Sequence, residues 1–267
     1  RGANGVILIN TKKGKSNRAQ IQLESKVGFN FNLLPRYDVI DSPEQYIGLS
    51  WEALFNQGKL NGSADPIKYA NDRLFSNSGI RTQYNMWGVS AAQLIDPATK
   101  QVRPGVSRVY NPENWEDYAF QTSIRTENNL SLSGGSDKTT YYAGIGYLKD
   151  EGYSINSEYE RYTGRLNLSH QAKDWLRGDF NFGYAFSKAK NNGQSEDSGS
   201  IFWFVDNIPS IYPLFLRDAA GNTVADPYYG GVQYDYGVGR GFGALTNAIS
   251  DATLDKDRRY KHEMNSN

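Results

Sequence analysis

The sequence predicts an all-β protein: a fragment of an antiparallel transmembrane β-barrel, about six strands long, with long outward loops and one short helix. Three observations predict it. Phe180, Phe182, Tyr184 and Phe186 fall on one parity, with Asn181, Gly183, Ala185 and Ser187 between them. Successive side chains of a strand point to opposite faces, so this pattern makes one aromatic face and one small or polar face. Ile21, Leu23, Val27, Phe29, Phe31 and Leu33 repeat the alternation. Finally, 19 Tyr, 12 Phe and 5 Trp suit a wall with lipid on one side and water on the other.

Composition bounds the remaining classes. Mean hydropathy is −0.66, low for a large dry core but compatible with a barrel whose strands wet one face. No uninterrupted apolar stretch approaches the ~18 residues of a spanning helix. Lys and Arg total 29, as do Asp and Glu, which argues against a nucleic-acid partner. The absence of cysteine excludes disulfide scaffolds and thiolate metal sites. His170 and His262 are too few and too far apart for a metal cluster, and no cofactor is expected. The chain opens at Arg1 without Met or an apolar leader and stops at Asn267 inside what reads as a strand, so it is expected to be a piece of a longer protein.

Val6 to Ile9 reads as a short strand buried on both faces, because it does not alternate. Lys12 to Arg18 is a polar linker, and Ala19 to Leu33 the first wall strand. Ser42-Pro43-Glu44-Gln45 reads as an N-cap, a proline in the first turn and an acid beside the helix dipole. The helix should run to Gly58 with Tyr46, Leu49, Ala53 and Leu54 on one face. Asn61 to Gln121 reads as irregular, and a strandless segment of that length is more often functional. Strands then follow at 124–133, 139–148, 159–170 and 176–188, separated by a turn at 134–137, a longer loop at 149–157 and a turn at 173–175. Asn191 to Ile249 reads as a second long loop, and Lys256 onward as the next strand. Closed barrels need about eight strands, so six cannot close alone.

In this order the pieces resemble one family. Arg1-Gly2-Ala3-Asn4-Gly5-Val6-Ile7-Leu8-Ile9-Asn10-Thr11-Lys12-Lys13-Gly14 is similar to the end of the plug domain in SusC/RagA-type TonB-dependent outer-membrane transporters. Leu130-Ser131-Leu132-Ser133-Gly134-Gly135, then Thr140-Tyr141-Tyr142-Ala143 and Gly146-Tyr147-Leu148, resembles that family's early barrel hairpin. Glu160-Arg161-Tyr162-Thr163-Gly164-Arg165-Leu166-Asn167-Leu168 and Asp174-Trp175-Leu176 continue it. The resemblance implies that residues 1–15 end a plug and 16–267 begin a barrel of about 22 strands. It implies an outer-membrane importer of oligosaccharides or peptides, set in outer-membrane lipid. Its implied partners are TonB, through a segment outside this chain, and a SusD-like surface lipoprotein acting as a lid.

Phe202, Trp203, Tyr212, Tyr228, Tyr229 and Tyr234 in the second long loop are candidates for ligand or lid contact, since aromatic rings stack on sugars and anchor peptides. The competing reading packs these rings against the barrel rim or the lid. Trp115, Tyr118 and Trp175 are candidate anchors at the membrane interface. Acid pairs Asp150–Glu151, Glu158–Glu160 and Asp255–Asp257 read as solvated loop residues rather than glycosidase carboxylates. Asp218 to Asn222 reads as a turn rather than a calcium loop, and Gly237 to Gly243 lacks the strand and helix of a phosphate cradle. No nucleophile–base pair is evident, so no enzyme is expected. The alternatives are a soluble β-sandwich that binds glycans, and a siderophore-type TonB-dependent receptor.

Overall fold

A computed structural model describes residues 19–33, 35, 37–193, 200–241, 246–254 and 257–267. The expected strand at Val6 to Ile9 and the linker after it lie outside these residues. In chain order the elements are β1 (Gln20–Asn30), α1 (Pro43–Leu60), α2 (Pro66–Leu74), a single 3-10 turn (Thr82–Tyr84), α3 (Ala91–Leu94), β2 (Ile95–Asp96), β3 (Gln101–Val102), α4 (Trp115–Ala119), β4 (Ser123–Gly135), β5 (Thr139–Glu151), β6 (Glu158–Lys173), β7 (Leu176–Lys190), α5 (Ile201–Asn207), α6 (Ala248–Leu254) and β8 (Arg258–Ser266). Two compact units result, one from residues 19–32, 121–192 and 257–267, the other from the two intervening stretches.

The first unit is a single antiparallel sheet in the order β1-β4-β5-β6-β7-β8. All six expected wall strands are present, and most run longer than their alternation suggested. β5 continues through Lys149, Asp150 and Glu151, and β6 begins at Glu158, which shortens the expected loop to residues 152–157. The acid pairs Asp150–Glu151 and Glu158–Glu160 therefore stand on strands, a correction to their loop assignment. Strand pairing with Arg125, Lys149 and Lys188 holds them in the ladder. Residues 136–138 and 174–175 make short connections at one end of the sheet. The 31–122, 152–157 and 191–257 connections all leave from the other end.

The second unit corrects the reading of both long segments as irregular. It contains the 3-10 turn and α1 to α6, where one helix was expected. Ser42 Oγ accepts from Gln45 N at 3.3 Å, confirming the start of α1. Its buried residues are Pro43, Ile47, Gly48, Trp51 and Gly58; of the expected face, Tyr46 and Leu54 pack partly buried against the core, whereas Leu49 and Ala53 are exposed. Trp51 Nε1 donates to Asn71 Oδ1 on α2 at 2.8 Å, and its ring stacks on Phe55 at 5.4 Å. Asp65 caps α2 by accepting from Lys68 N at 2.9 Å. Gly58 lets α2 approach, because a Cβ there would lie 3.0 Å from the Tyr69 ring. Ile47, Trp51, Leu74, Met86, Leu94 and Ile211 form a fully buried core with Tyr84, Trp87 and Tyr212. Helices of four to nine residues such as α2 to α6 are too short to show a clear apolar period, and caps and tertiary packing hold them instead.

Candidate functional site

Register sorts the sheet into two faces. One carries rows of directly opposed residues that run across all six strands: Ile21, Leu132, Ala143, Leu166, Phe182 and Ser266, then Leu23, Leu130, Ile145, Gly164, Tyr184 and Met264. Apart from half-buried Phe182, the large side chains in these rows are exposed, with Ile21 at 74% and Met264 at 74%. An exposed apolar band on a twisted sheet needs a non-aqueous neighbour.

The next row is aromatic. Tyr147, Tyr162, Phe186 and His262 stand opposite one another on β5 to β8, with ring centroids 4.9, 6.2 and 4.7 Å apart. His262 Nδ1 also lies 2.8 Å from the Tyr184 hydroxyl. Beyond it comes an ionic row of Lys149, Glu160 and Lys188 with Tyr260. Lys149 Nζ meets Glu151 at 2.6 Å and Glu158 at 3.6 Å, and Lys188 Nζ meets Glu160 at 3.7 Å. An apolar band bounded by an aromatic girdle and then by charge is the profile of a membrane edge. The band is slanted against the ladder: on β1 and β4, past polar Ser25, Asn128 and Thr126, apolar residues resume at Val27, Phe29 and Ile124 in rows where β5 to β7 carry charge. A level membrane edge crosses hydrogen-bonded rows obliquely only when strands tilt, as barrel strands do.

The opposite face is polar. Gln22, Glu24, Asn129, Tyr142, Arg161, Thr163, Arg165 and Glu263 line a concavity of about 600 Å³. Arg125 Nη1 reaches Asp150 at 2.9 Å, and Asn30 Nδ2 donates to the same carboxylate at 2.8 Å. Gly146 leaves room for this packing, since a Cβ there would sit 2.6 Å from both Asn129 Oδ1 and Thr163 Oγ1.

In the second unit the aromatic candidates separate by burial. Tyr212 is 2% exposed in the core, edge-on to Tyr84 at 4.9 Å, which removes it from any ligand surface. Trp115, expected at the membrane interface, is buried too. Its Nε1 donates to the Tyr212 carbonyl at 3.0 Å and its ring packs on Phe204 at 5.1 Å. Both corrections have one cause: the long segments fold on each other and need their own core. Tyr118, a candidate interface anchor, stands on α4, edge-on to Phe215 at 5.5 Å. Phe202 packs on Phe120, and Tyr234 on Phe215. Trp203 is partly open, whereas Tyr228 and Tyr229 are 89% and 82% exposed. Trp175, at the two-residue β6–β7 connection of the first unit, is 82% exposed.

Tyr228 and Tyr229 project from a built turn. Asp226 Oδ1 accepts from both of their backbone N–H groups, at 2.8 and 2.9 Å, and Gly230 and Gly231 close the turn at φ 75° and 74°. Those two donors hold the Asp226 carboxyl below the usual carboxylate range. Asp218 makes a similar turn, accepting from Ala220 N and Asn222 N at 2.9 and 2.8 Å, so the segment is a turn as expected. Ion pairs brace the unit. Arg108 grips Glu44 with both Nε (2.6 Å) and Nη2, which holds the Glu44 carboxyl below its usual range. Arg217 pairs with Glu113, whose other oxygen accepts from Leu214 N at 3.0 Å. Burial pushes the Tyr110 and Tyr212 hydroxyls up to about 12. Among the described residues no cluster of three or more His, Asp or Glu is placed to hold a metal, and no helix is long and apolar enough to cross a membrane.

These features define a class: an antiparallel sheet with one exposed apolar face and one polar face, as in the walls of transmembrane β-barrels. No family model matches the chain. It is 26% identical over 230 residues to the TonB-dependent receptor SusC of Bacteroides thetaiotaomicron, covering 85% of this chain and 17% of that protein. It is 28% identical over 234 residues to the TonB-dependent receptor P39 of Formosa agariphila, covering 85% and 18%. Among solved structures it is similar to the RagAB peptide transporter at a TM-score of 0.54 and 24% identity, covering 88% of this chain and 25% of that one. The chain thus spans less than a fifth of the length of these curated relatives. The chain is thus similar to SusC/RagA-type TonB-dependent receptors, which are outer-membrane β-barrel proteins.

Proposed function

We propose that this chain supplies the first part of the barrel of a TonB-dependent importer that takes up oligosaccharides or peptides. In this reading residues 1–15 end the plug, and 16–267 begin a barrel of about 22 strands. The observation that carries it is the slanted apolar band with its aromatic and ionic edges, because a tilted wall in lipid accounts for all three. The polar concave face then lines the lumen, where Arg161, Arg165 and Glu263 would meet the plug or the solute. The long connections face the cell exterior, since short turns face the periplasm in such barrels. The Tyr228–Tyr229 turn, with Trp203, then meets the solute or a SusD-like lipoprotein lid, and Trp175 anchors the periplasmic edge. Energy enters through TonB at a segment outside this chain. Similar structures described as a peptide importer and a peptide transporter support the peptide reading.

The test is growth of the source bacterium on its polymeric nutrients with the full-length receptor deleted, then restored with or without a functional TonB. Loss of growth on one oligosaccharide or peptide mixture, restored only with TonB, is the expected result. A full-length protein that remains soluble without detergent and supports growth without TonB overturns the reading.

A further inference from the structure

The lipid-facing side of the sheet carries a pair of directly opposed cations. Lys190 on β7 and Arg258 on β8 are directly opposite, on the same parity as Phe186 and His262. Opposed residues hold their Cβ atoms ~5 Å apart, and like charges there repel. Lys188 lies two residues along the same face, ~7 Å away. The sheet treats its other like-charge pair differently. Glu151 and Glu158 are also directly opposite, but Lys149 bridges them at 2.6 and 3.6 Å. Glu158 flanks Lys190 on its far side, yet its carboxylate turns to Lys149. Among the described residues no carboxylate comes within 4.0 Å of Lys190 or Arg258.

Their height along the wall suggests what neutralises them. Phe186 belongs to the aromatic row, and Lys188 and Lys190 follow it on the same face. At the tilt of barrel strands they rise ~5 and ~10 Å above that row, into the headgroup layer. Below them Phe182, Tyr184 and Phe186 on β7, with Met264 on β8, form an apolar track along the wall. An anion above and a hydrocarbon path below fit one molecule. Resting on the membrane reading above, we propose that Lys188, Lys190 and Arg258 form a site for the phosphate of a membrane lipid headgroup, whose acyl chains lie on that track. Two like charges facing each other are tolerated in the wall because a lipid phosphate bridges them. A free phosphate ion could satisfy the cations but would leave the track unused, which separates the two sources.

The full-length receptor is reconstituted into phosphatidylcholine nanodiscs, and retained lipids are read by native mass spectrometry after adding diphosphorylated lipid A or the same lipid with its phosphates removed. The phosphorylated lipid should be retained and the dephosphorylated one lost. The Lys190→Gln, Arg258→Gln variant should weaken retention about 30-fold while keeping the parent's unfolding midpoint. Millimolar inorganic phosphate should not displace the lipid. Equal retention of both lipids, unchanged retention in the variant, or displacement by inorganic phosphate would each overturn the proposal. A receptor that does not enter nanodiscs at all would instead overturn the membrane reading on which the proposal rests.

Discussion

Trp115 donates its indole N–H to the backbone carbonyl of Tyr212 at 3.0 Å, across 97 residues of sequence and inside a dry core. The bond ties α4 to the segment before α6 and takes both rings out of the positions that sequence reasoning assigned them. Trp115→Phe keeps the packing on Phe204 but leaves the Tyr212 carbonyl unsatisfied. It should destabilise the second unit by about 1–3 kcal/mol, measured as faster proteolysis of that unit in the full-length receptor. A lipid-interface Trp would respond differently. Brominated lipids should quench Trp175 fluorescence in single-tryptophan receptors and leave Trp115 unquenched.

The two faces of β7 should tolerate charge unequally. Phe182→Arg places a cation in the apolar band and should cost about 2–4 kcal/mol. Ala185→Arg, on the polar face between Thr163 and Glu263, should cost less than about 1 kcal/mol. Urea unfolding of the full-length receptor in lipid vesicles reads the difference, and equal costs would contradict the assignment of the faces.

The grip of Arg108 on Glu44 gives the second unit an acid-side dependence. Arg108 holds the folded Glu44 carboxyl below its unfolded pKa, so the pair contributes stability above the unfolded value and loses it as pH falls through the folded one. Glu44→Gln should therefore be less stable than the parent at pH 7. The gap should close on acidification below about pH 4.5, the ordinary carboxylate value. Thermal unfolding of parent and variant across a pH series checks it. A gap constant down to pH 3 would show that the pair contributes nothing.

Tyr228 and Tyr229 should matter to binding and not to folding. Replacing both with Ala removes two exposed rings and should change stability by no more than about 0.5 kcal/mol. It should weaken capture of the lid lipoprotein or of the solute at least about tenfold, read by surface plasmon resonance on the full-length receptor. Tyr212→Ala, by contrast, removes a core ring and should unfold the unit at a cost of about 3–5 kcal/mol.

The wall was legible in the residue order because strand alternation is local. Parity along Phe180 to Phe186 assigns a face without knowledge of any partner, and an expected six strands became six paired strands. The cap at Ser42 was legible for the same reason, since an N-cap is satisfied three residues away. The stripe of α1 was legible only in part: Tyr46 and Leu54 pack against the core as expected. Its buried side is chosen by α2 and the Tyr212 segment, so Ile47 and Trp51 face inward while Leu49 faces out.

By itself, then, the sequence determined the amphipathic strands, their order and their membrane-facing parity, because each follows from neighbours two residues apart. Only the tertiary structure decided that residues 33–120 and 200–254 build a second core, that Trp115 and Tyr212 belong to it, and that Lys190 meets Arg258. Those pairings join residues 68 to 97 positions apart, and no local periodicity encodes which distant segment will cover an aromatic ring or oppose a charge.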